Sequence, residues 1–218
     1  MSQVSQWHAT SRSPEETYRW GRHLGALLRP GHWVLLEGPV GAGKTVFVQG
    51  VAAGLGVKDW VTSPTFTLVH HYGYENEGSG SRGDARSHSE GGGASADKSE
   101  DKTAGTVLVH ADLYRLEDPG EVAALALDEA AAGAPVVVEW WRRAEDAFPR
   151  GRLEITLGRD GEGRASDRWV RYMTCVATDE AHEALLEAWR RAVEEGSAAE
   201  ATSTEATQQE QDDARPGH

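Results

Sequence analysis

The stretch Gly38-Pro39-Val40-Gly41-Ala42-Gly43-Lys44-Thr45 decides how this chain is read. It fits the pattern G-x-x-x-x-G-K-[ST], whose meaning depends on context: a strand must precede it and a helix must follow. Trp33-Val34-Leu35-Leu36 is a short apolar run of the kind that forms a buried parallel strand. Thr45 to Leu55 reads as a helix that ends at Gly54 and Gly56. In that setting Gly41 and Gly43 let the backbone curl until its N–H groups point at phosphate oxygens. The helix N-terminus adds partial positive charge. Lys44 supplies a full charge, and the Thr45 hydroxyl is a ligand suited to Mg²⁺. The bland alternative is a glycine-rich turn between a strand and a helix.

Working outward, Ser13-Pro14-Glu15-Glu16 opens a helix, with Ser13 as cap, Pro14 at the first position and Glu16 completing a capping box. That helix runs to about Leu28, before Pro30-Gly31. Phe66 to Tyr72 alternates as a strand, and Val107 to Asp112 and Val136 to Glu139 are buried strands. Pro119 to Ala132 reads as one alanine-rich helix. Leu153–Leu157 and Trp169–Ala177 read as late strands, both antiparallel, and Asp179 caps an amphipathic helix ending at Glu194. Strands alternating with helices imply a three-layer α/β domain with a mostly parallel sheet, the P-loop NTPase class. It spans residues 1–194.

Two stretches fall outside that pattern. Residues 75–106 are nearly free of apolar side chains and read as a disordered insertion, because they cannot bury enough surface to offset the entropy of ordering. Residues 195–218 hold six acids and one base and read as a disordered acidic tail. The net charge of −13 argues against nucleic-acid binding by bulk electrostatics, so any RNA is held by another subunit. The single cysteine, Cys175, excludes an internal disulfide and suits a cytoplasmic protein as a small core residue. No signal peptide and no membrane span are read.

Two acids stand where a phosphate site needs them. Asp112 ends the apolar strand Val107–Asp112, a place for a carboxylate beside magnesium. Glu139 ends Val136–Glu139 on the ligand-binding edge of a parallel sheet, where it could hold metal or orient water, or could be an ordinary strand-end acid. Thr62-Ser63-Pro64-Thr65 is a candidate γ-phosphate sensor or a capped turn. His70, His71 and His110 lack metal-ligand spacing and read as core or strand-surface residues. The eight tryptophans form no recognisable stacking platform.

The order of these pieces is specific: GAGKT, then Ser63-Pro64-Thr65-Phe66-Thr67-Leu68-Val69, then His110-Ala111-Asp112-Leu113-Tyr114-Arg115-Leu116 with Asp118-Pro119, then Glu139-Trp140. Together they resemble the bacterial TsaE (YjeE) family over about residues 14–157, the insertion excepted. The resemblance implies a P-loop ATPase needed for threonylcarbamoyladenosine in tRNA, working with TsaD and TsaB. Those partners contact the tRNA, and TsaD performs the transfer. It further implies that ATP sits among Gly38, Gly41, Ala42, Gly43, Lys44, Thr45, Val46 and Thr65. Thr45, Asp112 and Glu139 would be on the metal side, with Lys44, Asp112 and Glu139 catalytic. Arg164 is a weak candidate for the adenine end, and Arg115 a candidate arginine finger. The chain departs from the family pattern at Pro39-Val40 and at Trp141, which leaves the cradle and Glu139 in place. The competing readings are a P-loop kinase of small molecules and a nucleotide sensor without catalysis. A kinase needs an arginine-bearing lid, and the only long insertion is acidic and glycine-rich.

Overall fold

The computed structural model describes residues 5–73, 106–159 and 169–213, the last fifteen of these by backbone alone. The strands are β1 (Ser5–Ser11), β2 (Trp33–Glu37), β3 (Val69–Gly73), β4 (Thr106–Asp112), β5 (Val136–Glu139), β6 (Leu153–Gly158) and β7 (Arg171–Ala177). The α-helices are α1 (Pro14–Leu27), α2 (Lys44–Gly54), α3 (Leu127–Ala131) and α4 (Glu180–Asp213). Two 3₁₀ segments, Pro119–Leu125 and Trp141–Ala147, follow β4 and β5.

One seven-stranded sheet runs in the order β1-β7-β6-β2-β5-β4-β3. Its centre is parallel: β2 pairs with β5 and β6, and β5 with β4. Its wings are antiparallel, β3 on β4 at one side and β7 between β6 and β1 at the other. The three-layer α/β class expected from the sequence is therefore the observed one. β6 differs from expectation, lying parallel to β2 while antiparallel to β7. Side chains of β2 alternate between two cores: Val34 and Leu36 join the one under α1, α2 and α4, while Trp33 and Leu35 join the one under the 3₁₀ segments and α3. With both faces covered, β2 is apolar from Trp33 to Leu36, as expected of a buried parallel strand.

The helix that carries the glycine-rich loop is seated by glycines. A Cβ at Gly21 or Gly25 would overlap the carbonyl oxygens of Phe47 or Val51. One at Gly50 or Gly54 would overlap those of Tyr18 or Arg22. α1 and α2 thus meet backbone to backbone through two glycine pairs, each spaced four residues so that both members lie on one helix face. Ser13 caps α1 by accepting from the Glu16 amide at 3.1 Å, as expected. The Glu16 carboxylate reaches back one residue further than in an ideal capping box, to the Arg12 amide at 2.6 Å.

Several elements depart from the sequence reading. β1 was not foreseen, because Ser5-Gln6-Trp7-His8-Ala9-Thr10-Ser11 is half polar and becomes a strand by pairing along the whole of β7. The Phe66–Tyr72 strand begins only at Val69, since Leu68 adopts left-handed φ of 64° and closes a turn. The single helix over Pro119–Ala132 is split at Ala126, which is also left-handed at φ 50°. α4 runs on to Asp213 instead of ending at Glu194: the segment from Ser197 to Asp213 has no glycine or proline to stop it. Asp179 caps it as expected, accepting from the His182 amide at 2.9 Å. Three of the tryptophans, distant in sequence, gather in one core, with Trp7 ring centroids 5.9 Å from Trp20 and 5.1 Å from Trp189. The Trp189 indole N–H donates to the Trp20 carbonyl at 2.9 Å. Cys175 is fully buried, and burial pushes its thiol pKa far up, which makes it an inert core residue. The insertion up to residue 105, Arg164 and the last five residues lie outside the described residues.

Candidate nucleotide-phosphate site

β2 delivers the chain to the carboxyl edge of the parallel strands, where Gly38 to Gly43 turn it into α2. Gly41 and Gly43 sit at φ 77° and 100°, the left-handed region that glycine enters without steric cost. Gly43 is the cap position of α2 and contributes no side-chain acceptor, so the first amides of this eleven-residue helix face the loop. A helix start without a side-chain cap, behind left-handed glycines, is the kind of positive helix end that suits an anion.

Lys44 lies across the loop. Its ammonium donates to the Gly38 carbonyl at 2.7 Å and to the Pro39 carbonyl at 3.3 Å. It also rests 4.0 Å from the ring centroid of Trp140. Only 5% of Lys44 is exposed. Burial holds its pKa below the usual lysine value, against the opposing pull of Glu139, Glu37 and Asp112. An incoming polyanion would offset that desolvation.

The two acids end neighbouring strands in register, Asp112 opposite Glu139. Both are about 2% exposed. Asp112 anchors the segment before β3: its Oδ2 accepts from the hydroxyls of Ser63 and Thr65, each at 2.5 Å. Its Oδ1 accepts from the Tyr114 amide at 2.9 Å. Glu139 Oε1 lies 3.0 Å from His110 Nε2, and the other nitrogen of that buried ring has no hydrogen-bond partner among the described residues.

A cavity of about 460 Å³ brings these groups together. Gly41, Ala42, Gly43, Lys44, Thr45, Val46, Thr65, Asp112 and Glu139 all line it, as the sequence reading grouped them. Gly38 does not line it and serves through its carbonyl, held by Lys44. Arg115 is not in the lining either: its guanidinium stacks 4.0 Å from the ring of Phe66. Further lining comes from residues the sequence reading did not place there. Pro14 and Thr17 are brought in by α1, Trp140 by its left-handed φ of 60° after β5, and Trp169 and Arg171 by the approach to β7. Arg171 donates to the Gly41 carbonyl at 3.3 Å. The adjacent Glu139-Trp140 pair was the available signal for Trp140; Thr17, Trp169 and Arg171 carry no local signal, since only the sheet order β1-β7-β6-β2 brings them to the loop. The oxygen donors, Thr45 hydroxyl and two carboxylates, suit a hard cation such as Mg²⁺. Among the described residues no cluster of three or more His, Cys, Asp or Glu is placed to hold a metal ion.

The fold and site define a class: a three-layer α/β protein whose phosphate-binding type of loop opens at the carboxyl edge of its parallel strands. The family follows from comparison. The model for "Threonylcarbamoyl adenosine biosynthesis protein TsaE" matches residues 11–80 and 98–167, and the chain belongs to that family. It is 34% identical over 176 residues to the tRNA threonylcarbamoyladenosine biosynthesis protein TsaE of Bacillus subtilis, covering 80% of this chain and 88% of the relative. It is equally identical, over 161 residues, to the TsaE of Streptomyces coelicolor, covering 73% and 89%. The crystal structure of B. subtilis YdiB superposes with a TM-score of 0.61 at 28% identity, covering 88% of this chain and 98% of that one. The family is one of tRNA threonylcarbamoyladenosine biosynthesis. No helix among the described residues is long and apolar enough to cross a membrane.

Proposed function

We propose that this chain binds ATP with Mg²⁺ in the cavity over Gly41–Val46 and hydrolyses it as the ATPase subunit of a cytoplasmic tRNA-modifying complex. Its partners are homologues of TsaD and TsaB, which meet the tRNA and carry out the threonylcarbamoyl transfer; this chain does not. The observation that carries the reading is the convergence of Lys44, Thr45, Asp112 and Glu139 on one cavity at a glycine-built helix start. Membership of the family supplies the pathway.

Each part follows from charge and position. The helix-start amides of Lys44, Thr45 and Val46, with that of Gly43, receive the phosphates, and Lys44 offsets the negative charge that develops on them. The Ala42 amide is held by the Pro39 carbonyl. Thr45, with Asp112 and Glu139 on the same side, would hold Mg²⁺, which when bound would supply positive charge against the phosphates. Glu139, buried at the strand end, is the group to orient the attacking water. Pro14, Thr17, Trp169 and Arg171, which line the cavity beside Gly41 and Gly43, receive the nucleoside end. Arg164, proposed from the sequence for that end, lies outside the described residues. With Asp112 occupied by Ser63 and Thr65, a ligand that recruits Asp112 or Thr65 must loosen residues 62–68.

The test is ATP hydrolysis by the full chain, alone and with its cognate TsaD and TsaB homologues, beside Glu139→Ala. Slow turnover that rises with the partners and drops at least about a hundredfold in the variant is expected. Turnover indifferent to both changes would refute the proposal, and phosphoryl transfer to a metabolite in preference to water would replace it with the kinase reading.

A further inference from the structure

We propose that His110 is the positioning residue of Glu139: its Nε2–H holds one carboxylate oxygen and fixes how the acid presents itself to the phosphate cavity. The inference rests on the reading of Glu139 as the water-orienting acid.

The geometry is a short chain of contacts. His110 and Asp112 lie two residues apart on β4 and so share a face of the sheet. Glu139 ends β5 opposite Asp112 and reaches back by one pleat to His110, whose Nε2 is 3.0 Å from Oε1. The imidazole is fully buried, while Glu139 lines the cavity. His110 therefore has no route to a ligand and acts only through Glu139. A carboxylate oxygen can only accept, so Nε2 carries the hydrogen that faces Glu139. The other ring nitrogen, Nδ1, is a buried polar atom without a partner among the described residues.

An orphaned ring nitrogen makes a structural explanation of His110 weak. Burying a polar atom without a hydrogen bond costs free energy, and an apolar residue of similar size would remove that cost at Nδ1 while leaving Glu139 Oε1 without its donor. The one thing His110 supplies that leucine cannot is a donor on Glu139. A carboxylate next to a cavity has rotamer freedom about its last torsions, and one fixed oxygen leaves the other aimed in a single direction. Outer-sphere donors of this kind ordinarily change rates through the group they orient.

The experiment uses the full chain with its cognate partner homologues and measures steady-state ATP hydrolysis and thermal stability for His110→Leu, His110→Asn, His110→Gln and Glu139→Ala. The amide nitrogen of glutamine can stand where Nε2 stands; that of asparagine is too short. Expected are a fall in kcat of about tenfold or more in His110→Leu and His110→Asn with KM for ATP unchanged, and recovery of most of the rate, with a melting temperature close to the parent's, in His110→Gln. The ¹⁵N shifts of His110 should report a protonated Nε2 in the parent and lose that signature in Glu139→Ala. Parental kcat in His110→Leu, or a His110→Gln as slow as His110→Leu, would overturn the inference while leaving the ATPase reading intact. Parental turnover in Glu139→Ala would remove the ATPase reading and this inference with it. Should His110→Leu fail to fold, the pair His110→Asn and His110→Gln decides the matter by itself.

Discussion

The two walls around Lys44 are held in different ways. The cradle wall, Gly38 to Val46, is fixed by backbone: left-handed glycines, a helix start and the glycine-mediated seat of α2 on α1. A second wall, carried by residues 62–68, is backbone-bonded to Asp112 at Leu68 but meets the cavity through Ser63 and Thr65, whose hydroxyls are tied to one carboxylate. It also carries Phe66, which is 82% exposed. Backbone overlap between packed helices cannot be exchanged for anything else. Hydroxyl–carboxylate bonds can be exchanged for bonds to a ligand at small net cost. The molecule therefore places a backbone-fixed loop beside a segment whose side-chain ties can be exchanged.

The contrast can be broken from the rigid side first. Gly50→Val would drive a branched side chain into the Tyr18 carbonyl and separate α1 from α2. The expected outcome is a loss of about 3 kcal/mol or more, or failure to fold, read by denaturant melts. A neutral result would mean that the helices are not held by backbone contact. From the exchangeable side, Thr65→Ala removes one of two hydroxyls on Asp112 and should cost about 1.5 kcal/mol, the low end for a hydrogen bond to a charged group. Its amide exchange should quicken over residues 64–68 while the amides of α2 keep their protection. Uniform quickening would erase the distinction between the walls.

A third prediction concerns the far end of the sheet. Asp179 is partly exposed; burial alone would raise its pKa, but the amide and ring of His182 donate to it and bring the net value below the usual 3.8. A carboxyl lowered in the fold contributes stability that is complete above its ordinary value and is lost as pH falls through the lower folded value. Melting temperatures of the parent and Asp179→Ala should therefore differ at neutral pH and converge as pH falls below the usual carboxylate value of 3.8. A constant gap over that range would show that the cap contributes nothing through its charge. This is the smallest of the expected effects.

Much of this was legible in the sequence wherever meaning is local. The strand–loop–helix around Lys44 is contiguous, and Asp112 and Glu139 each end an apolar run, so register brings them together without further information. Non-local features were not legible. β1 is a strand because β7 lies beside it, and β6 is parallel because it enters next to β2. Left-handed Leu68, Ala126 and Trp140 are turns that no glycine announced. His110 looked like an ordinary core histidine, and its contact with Glu139 appears only once β4 and β5 are adjacent.

The most direct test of the central claim is titration of the full chain and of Lys44→Ala with ATP and Mg²⁺, followed by heat and by thermal shift. Saturable binding by the parent is expected, with about 2.7 kcal/mol of added stability at a hundredfold excess over Kd, and neither signal in the variant. Undiminished ATP affinity in Lys44→Ala would contradict the assignment of this cavity as the phosphate cradle.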